Sequence, residues 1–236
     1  MHRQDTSFPL VSVIIAVYNY GRYLCEAIDG VLCQTYPSYE LILVNDGSTD
    51  ETEKIALSYG SQIRYHFQEH QGLSVPKNQG VKLAQGEFIS FLDADDIWPA
   101  NRLSVLMNPF LDDPEMEMVF GRLHNFWSPE VAHKKEISES LNEPMNGICP
   151  GTMLIKKGSF LKVGYFKLEW TVTEFLDWYL HAKELHLKTA WVQDLVLERR
   201  LHEHNNTFVH RGQLPIEFAR ALKTSLQRQR EKRTPL

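Results

Sequence analysis

The sequence predicts an α/β protein with a mostly parallel central sheet flanked by helices. Three observations carry that prediction. Apolar, β-branched runs recur at 11–18, 39–44 and 87–92, as in strands buried on both faces. Segments of helical periodicity lie between them. The runs also end on Asn, Asp and Gly, at the strand ends where wound sheets bind ligands.

The elements follow in order. VSVIIAVY (11–18) is the first strand, and Asn19 and Gly21 turn the chain. A helix fits Tyr23 to Leu32, with Leu24, Ile28, Val31 and Leu32 on one side. Pro37 falls in the connection to the second strand, YELILV (39–44). In NDGSTDE, Ser48 with Glu51 three residues later forms a capping-box pattern, and Gly60 is a helix stop. IRYHF (63–67) is a third strand, and a helix over 74–84 with Gly86 leads into EFISFL. This alternation is that of a parallel sheet wound with helices. Asn45-Asp46-Gly47 and Asp93 to Asp96 both follow strands, so the topology puts them near each other on one rim.

Beyond about residue 115 the pattern loosens. EMVF (117–120) suggests a strand, and 128–146, polar with two prolines, reads as a long loop of lid or binding type. CPGTMLIKK (149–157) suggests a short strand, Thr173 opens a helix over 173–185, and LVLERRLH (195–202) is a last strand. Leu214, Phe218, Leu222 and Leu226 fall at i, i+4 spacing, which predicts an amphipathic C-terminal helix. The expected organisation is one domain over 1–210, with halves of about 1–115 and 116–210, then a basic helix and tail over 211–236.

Composition narrows the function. The chain of 236 residues is long enough to bury a sizeable core, and its net charge of −5 argues against nucleic acid as a partner. Residues 211–236 carry seven Lys/Arg against two Asp/Glu, so +5 sits in the tail and −10 in the body. The basic helix permits peripheral contact with an anionic membrane surface. Three cysteines, Cys25, Cys33 and Cys149, fit reduced thiols in a cytosolic protein. No apolar signal core and no membrane-length run appears, so a cytoplasmic location is expected.

The chemistry centres on FISFLDADDIW (88–98). Asp93 and Asp95 are two apart at a strand end, so both can face one side. Paired hard oxygens suit Mg²⁺ or Mn²⁺, which also take waters and substrate phosphates. The alternative is an acidic turn that caps the next helix. Asp46 is either a turn residue or a rim carboxylate accepting hydrogen bonds from a nucleobase. Neither G-x-G-x-x-G after the first strand nor G-x-x-x-x-G-K-[ST] anywhere is present. A phosphate-bearing ligand would then depend on a metal, which favours that reading of Asp93 and Asp95.

At this point the wording becomes specific. VSVIIAVYNYGRYLCEAIDGVLCQTYPSYELILVNDGSTDET and GLSVPKNQGVKLAQGEFISFLDADD resemble the family-two inverting glycosyltransferases in order and spacing over about residues 10–105. GTMLIKKGSFLKVGYF and RRLH match more loosely. The resemblance implies a GT-A fold, a nucleotide-sugar donor, UDP-sugar by family frequency, and a divalent cation, Mn²⁺ or Mg²⁺. It implies that Ala16, Val17 and Tyr18 line the base and that Asp46 hydrogen-bonds it. Asp93 would stand near ribose and metal, and Asp95 would ligate the metal directly. Asp96 matches a frequent extra acid that can cap the next turn. Lys77 stands where the family usually has Arg and would contact the nucleotide. His202 matches a histidine that can approach metal or diphosphate, with a surface histidine as the alternative.

The implied reaction is a single displacement that inverts the anomeric carbon. It needs a general base on the acceptor side. The family usually shows Glu-Asp at a helix start, with the Asp as base. Here TEFLDWYLHAKE has Glu174 but Phe175 at the Asp position, and Asp177 three residues after Glu174 shares its helix face. Asp177 is taken first as base and Glu174 second, although Thr173 and Glu174 are also good helix-start chemistry. Trp127, Trp170 and Trp178 fall in the acceptor half, as stacking platforms or as core. Arg199, Arg200 and His202 form a basic knot that could meet the diphosphate or the acidic pair. The acceptor would be a sugar, a lipid-linked sugar, a peptide or a small molecule. The alternatives are a sugar nucleotidyltransferase, for which VYNYGRYL offers only Gly21 and Arg22, and a non-catalytic nucleotide-sugar-binding or scaffold protein, favoured only by Phe175.

Overall fold

The structure, a computed structural model, describes residues 8–131 and 143–233. Most of the loop expected at 128–146 lies outside the described residues. The first half runs β1 (Val11–Val17), α1 (Gly21–Leu32), β2 (Tyr39–Asp46), α2 (Thr52–Ser58), β3 (Arg64–Gln68), α3 (Ser74–Leu83) and β4 (Phe88–Asp93). These strands pair in parallel in the order β3-β2-β1-β4. The chain therefore winds outward from β1 through β2 and β3, then returns to β1's other side. That reversal opens a crevice at the carboxyl ends of β1 and β4.

The second half runs α4 (Arg102–Asp112), β5 (Met118–Trp127), β6 (Met145–Asn146), β7 (Met153–Lys156), α5 (Lys157–Val163), α6 (Glu174–Glu184), β8 (Thr189–Leu201), α7 (Asn206–Val209) and α8 (Leu214–Arg233). It extends the same sheet, with β7 antiparallel to β4 and β5, and β8 parallel to β5. The fold is thus α/β with a mostly parallel sheet, as the sequence predicted. β5 and β8 are much longer than their apolar runs because each is only half-buried. Charged residues on their open face, such as His124 and Glu198 paired at 2.5 Å, interrupt the apolar pattern.

Side chains alternate across β1. Val11, Val13, Ile15 and Val17 pack with Leu24 and Ile28 of α1 and with Leu103 and Leu106 of α4. Ile14 turns the other way, into a second core with Val81 of α3, Phe160 of α5, and Phe175 and Trp178 of α6. That two-sided burial is why β1 reads as an unbroken apolar run.

One local expectation is corrected and one is met. The Ser48–Glu51 capping box does not form. The Ser48 hydroxyl accepts the Asn19 N–H, while Asp50 accepts the N–H groups of Thr52 and Gly21 and so joins the starts of α2 and α1. The C-terminal helix forms, but its apolar stripe does not pack. Phe218 and Leu226 remain 51% and 56% exposed, while Ala221, Ser225 and Glu217 face the body. The reason is polar: α6 presents carboxylates and free backbone N–H groups, and the polar side of α8 satisfies them.

Candidate active site

The register of the sheet assembles the rim. Ala16 pairs with Val44 on one side and with Asp93 on the other. The segment Ala16–Tyr18 therefore runs between the two acidic clusters. Val17 faces the core, so only its backbone borders the rim, while Tyr18 projects outward. The Tyr18 ring stacks on His70 with centroids 3.8 Å apart and planes 21° apart.

His70 belongs to the loop between β3 and α3, which closes on Asp46. The Asp46 carboxylate accepts the N–H groups of Gln71 (3.1 Å) and Gly72 (3.0 Å), the Gln68 amide (2.6 Å), and contacts His70 Nδ1 at 2.8 Å. The residue is 1% exposed. In this structure the carboxylate is committed to the loop. Gly47 makes the approach possible. Its φ is +75°, and a Cβ there would lie 2.8 Å from the His70 nitrogen.

The three aspartates at the end of β4 diverge. Asp93 is 47% exposed and lies 3.7 Å from Lys77 Nζ. Asp95 receives His202 Nε2 at 2.9 Å and the Asn205 amide at 3.0 Å on the same oxygen. Asp96 is buried and accepts the Arg200 N–H at 2.9 Å. Burial, then the charges of Asp95 and Asp93, push the Asp96 carboxyl well above the usual carboxylate range. Asp93 and Asp95 therefore meet different partners. Arg200 ties the turn down: its Nε donates to the Asp95 carbonyl and its Nη2 to Glu26. Arg199 donates instead to Asn125. The basic knot thus serves the acidic turn.

His202 Nδ1 accepts the His204 N–H at 3.2 Å. In the neutral ring the proton then sits on Nε2 and is donated to Asp95. Here the imidazole orients the carboxylate. It becomes a metal ligand, the role expected of it, only by giving up that proton.

The helix α6 separates the two candidate bases. Glu174 is buried and receives Lys77 Nζ at 3.1 Å. Burial opposes the charge on Lys77, yet the charges of Asp93 and Glu174 hold its pKa above the usual lysine range. One ammonium thus links the end of β4 to the start of α6. Asp177 is bound elsewhere, 2.9 Å from Lys167 Nζ and 2.8 Å from Arg228 Nη1. Burial works to raise its pKa, but the hydrogen bonds from Arg228 and Lys167 prevail and hold it below the usual range. Lys167 and Arg228 thus occupy both oxygens of Asp177. Phe175 is explained by packing. Its side chain enters the aromatic core beside Phe120, Phe166 and Trp178. Trp178 is core too, its indole N–H donated to the Gly164 carbonyl.

Among the described residues, no group of three or more His, Cys, Asp or Glu forms a closed metal site. An open site is a different matter. The three acids of the turn concentrate negative potential here: burial and then Asp95 and Asp93 raise the Tyr20 pKa above its usual value. A half-exposed Asp93 and an oriented Asp95 suit a hard cation that takes one or two carboxylates and leaves its other positions to water and phosphate. The donor set therefore fits Mg²⁺ or Mn²⁺.

The family model described as glycosyl transferase family 2 matches residues 12–164. The chain belongs to that family. An uncharacterized glycosyltransferase of Rickettsia typhi is 35% identical over 225 residues, covering 90% of this chain and 70% of the relative. GlyG of Streptococcus pneumoniae is 36% identical over 121 residues, half of this chain and 40% of its own. Among solved structures, S. aureus TarS in complex with UDP-GlcNAc superposes with a TM-score of 0.67 at 20% identity, over 83% of this chain and 60% of that one. A mannosyltransferase of Pyrobaculum calidifontis, in complex with GDP-Man and Mn²⁺, gives 0.67 at 20% identity, over 92% and 65%. These likenesses establish a GT-A fold.

In this glycosyltransferase, sequence reasoning missed His70, Glu26, Asn205 and Glu217. Asn205 had a signal, an N-N-T sequon, but its amide is occupied by Asp95 and the Arg200 carbonyl. The others had none, because their partners lie far away in the chain.

Proposed function

We propose that this glycosyltransferase moves a sugar from a nucleoside-diphosphate donor, a UDP-sugar first, to an acceptor nucleophile by one inverting displacement, with Glu174 as the general base. The observation that carries the reading is the bridge of Lys77 between Glu174 (3.1 Å) and Asp93 (3.7 Å). A base and the acidic turn are thereby held on one rigid connection. Lys77 orients the Glu174 carboxylate beside the acidic turn, where it would accept the acceptor's proton. The same ammonium stands beside Asp93, where a departing diphosphate gathers charge. Asp95 and Asp93 would hold Mn²⁺ or Mg²⁺, and the cation supplies Lewis-acid neutralisation of that leaving group. Asp46 shapes the loop that borders Tyr18, and the base of the donor would lie against the Tyr18 ring. Arg200, Asn205 and His202 fix the acidic turn.

Support for a nucleotide-sugar donor comes from the fold neighbours that carry UDP-GlcNAc and GDP-Man, the latter with Mn²⁺. Phe175 no longer favours a non-catalytic binder, since core packing accounts for it. The acceptor class is a sugar, a lipid-linked sugar, a peptide or a small molecule. The test is release of nucleoside diphosphate from UDP-GlcNAc, UDP-glucose and GDP-mannose, with Mn²⁺, Mg²⁺ or EDTA. Metal-dependent release with an inverted anomer, seen by NMR, is the expected result. Binding without turnover of any of them would overturn the reading.

We also propose a cytoplasmic location with peripheral membrane contact. No helix among the described residues is long and apolar enough to cross a membrane. The outward face of α8 sets exposed Phe218, Leu222 and Leu226 beside Lys223, an apolar and basic combination suited to anionic lipid. Equal pelleting of the full chain and of Phe218→Ser/Leu222→Ser with phosphatidylserine vesicles would reject it.

A further inference from the structure

The packing of α8 has a purpose that its apolar stripe hides. Glu217, in its first turn, reaches the segment that leads into α6. Its Oε1 accepts the Thr171 N–H at 3.0 Å, and its Oε2 accepts the N–H groups of Val172 (3.0 Å) and Thr173 (3.1 Å) and the Thr173 hydroxyl (3.0 Å). Three successive backbone donors thus converge on one carboxylate, at the positive end of the α6 dipole. The next residue is Glu174. Farther along, Arg228 binds Asp177 and, through two nitrogens, Glu184 at the last turn of α6, while Ser225 also donates to Glu184. The grip therefore covers both ends of α6. Burial opposes the charge on Glu217, but the N–H groups of Val172 and Thr171 and the Thr173 hydroxyl hold its pKa below the usual range.

We infer that Glu217 is a positioning residue for the transfer reaction: its carboxylate seats the N-terminus of α6 so that Glu174 is held against Lys77 and the acidic turn. The inference rests on the proposed role of Glu174. The seat is a tertiary cap, since Thr173 spends its own hydroxyl on Glu217 and makes no side-chain cap to α6. Removing it frees the first turn of α6 while β1 to β4, which carry the donor rim, keep their own contacts. A shift of about 1 Å in a reacting group is enough to lower turnover as much as a hundredfold.

The experiment uses the full chain with Mn²⁺ and two probes, UDP-GlcNAc and GDP-mannose. Glu217→Gln should lower kcat at least tenfold and leave KM for the donor within about twofold, because it loses an interaction that matters at the transition state rather than in donor binding. Combined with Glu174→Gln, it should add little to the loss that Glu174→Gln causes alone, since both act through one carboxylate. Hydrogen exchange, which needs no turnover, should accelerate at the amides of 171–177 and not in β1 to β4. Glu217→Asp, which keeps the charge with shorter reach, should fall between the two and serves if the Gln variant does not fold. Wild-type kcat in folded Glu217→Gln, unchanged exchange at 171–177, or full multiplicative loss in the double variant would each overturn the inference. If Glu174→Gln itself turns over normally, the base assignment has failed, an outcome distinct from failure of the seat alone.

Discussion

Asp46 and Glu174 are both buried carboxylates on the rim, yet they are held in opposite ways. Asp46 draws its donors from one loop, residues 68–72, and supports the short path from β3 to α3. Glu174 depends on Lys77, 97 residues away, and on a helix whose N-terminus is fixed by Glu217. The first arrangement makes a preformed wall from local sequence. The second brings together β4, α3, α6 and α8, so the chemistry depends on the packing of distant parts. The difference teaches where the protein is robust and where it is exposed to change: donor binding should survive changes in α6 and α8 that abolish turnover.

The largest expected effect tests that division directly. Glu174→Gln should lower kcat by about 10²–10⁴-fold, the usual worth of a general base, with the donor's dissociation constant unchanged by calorimetry. Equal loss of binding would merge the two regions into one. Asp177→Asn should do the reverse, keeping most of kcat while losing stability. It removes the charge that Arg228 and Lys167 share, and about 3 kcal/mol is expected, the low end for a broken buried pair, because Arg228 keeps Glu184 and Lys167 is 44% exposed. For a chain of this size that is roughly 6–12 °C in Tm, read by thermal unfolding. A collapse of kcat with an unchanged Tm would return the base to Asp177.

A smaller effect concerns the wall. His70 occupies the face of Tyr18 that a nucleobase would use, so His70→Ala should tighten UDP binding by about two- to tenfold, the worth of one aromatic contact. Weaker binding would mean that His70 helps to hold the base. The smallest effect is in pH. Asp177, Glu184 and Glu217 all have lowered pKa values in the folded chain. Their stabilisation is present above the unfolded carboxylate value of about 4 and is lost as pH falls through their lowered folded values. Exchange at α6 and α8 should therefore rise on acidification before it rises in β1 to β4. Simultaneous opening of both regions would show that α8 is no weaker than the sheet.

The same contrast explains what could be read from the chain. The parallel half was legible because β1, β2 and β4 are buried on both faces and each turn has its own Gly, Asn or Asp. The rim followed from topology alone. The apolar runs of β5 and β8 are shorter than the strands because one face of each carries charge, and nothing local distinguishes Glu174 from Asp177. What separates them is Lys77 on one side and Lys167 and Arg228 on the other, all brought in by tertiary folding. The outward stripe of α8 has a related cause. Apolar periodicity marks a face that can pack, but a neighbouring helix with orphan N–H groups and carboxylates was better met by Glu217 and Arg228.

The Lys77 bridge has a consequence for the charge inside the pocket over one turnover. Apart from any cation, Asp93, Lys77 and Glu174 together carry one negative charge before reaction. When Glu174 takes up a proton the trio becomes neutral, an ammonium facing a single carboxylate. The chemical step thus removes a charge from a poorly hydrated place instead of creating one there. With Glu174 protonated, Lys77 would keep Asp93 as its charged partner, so the counter-charge freed by the proposed base would turn toward the leaving diphosphate.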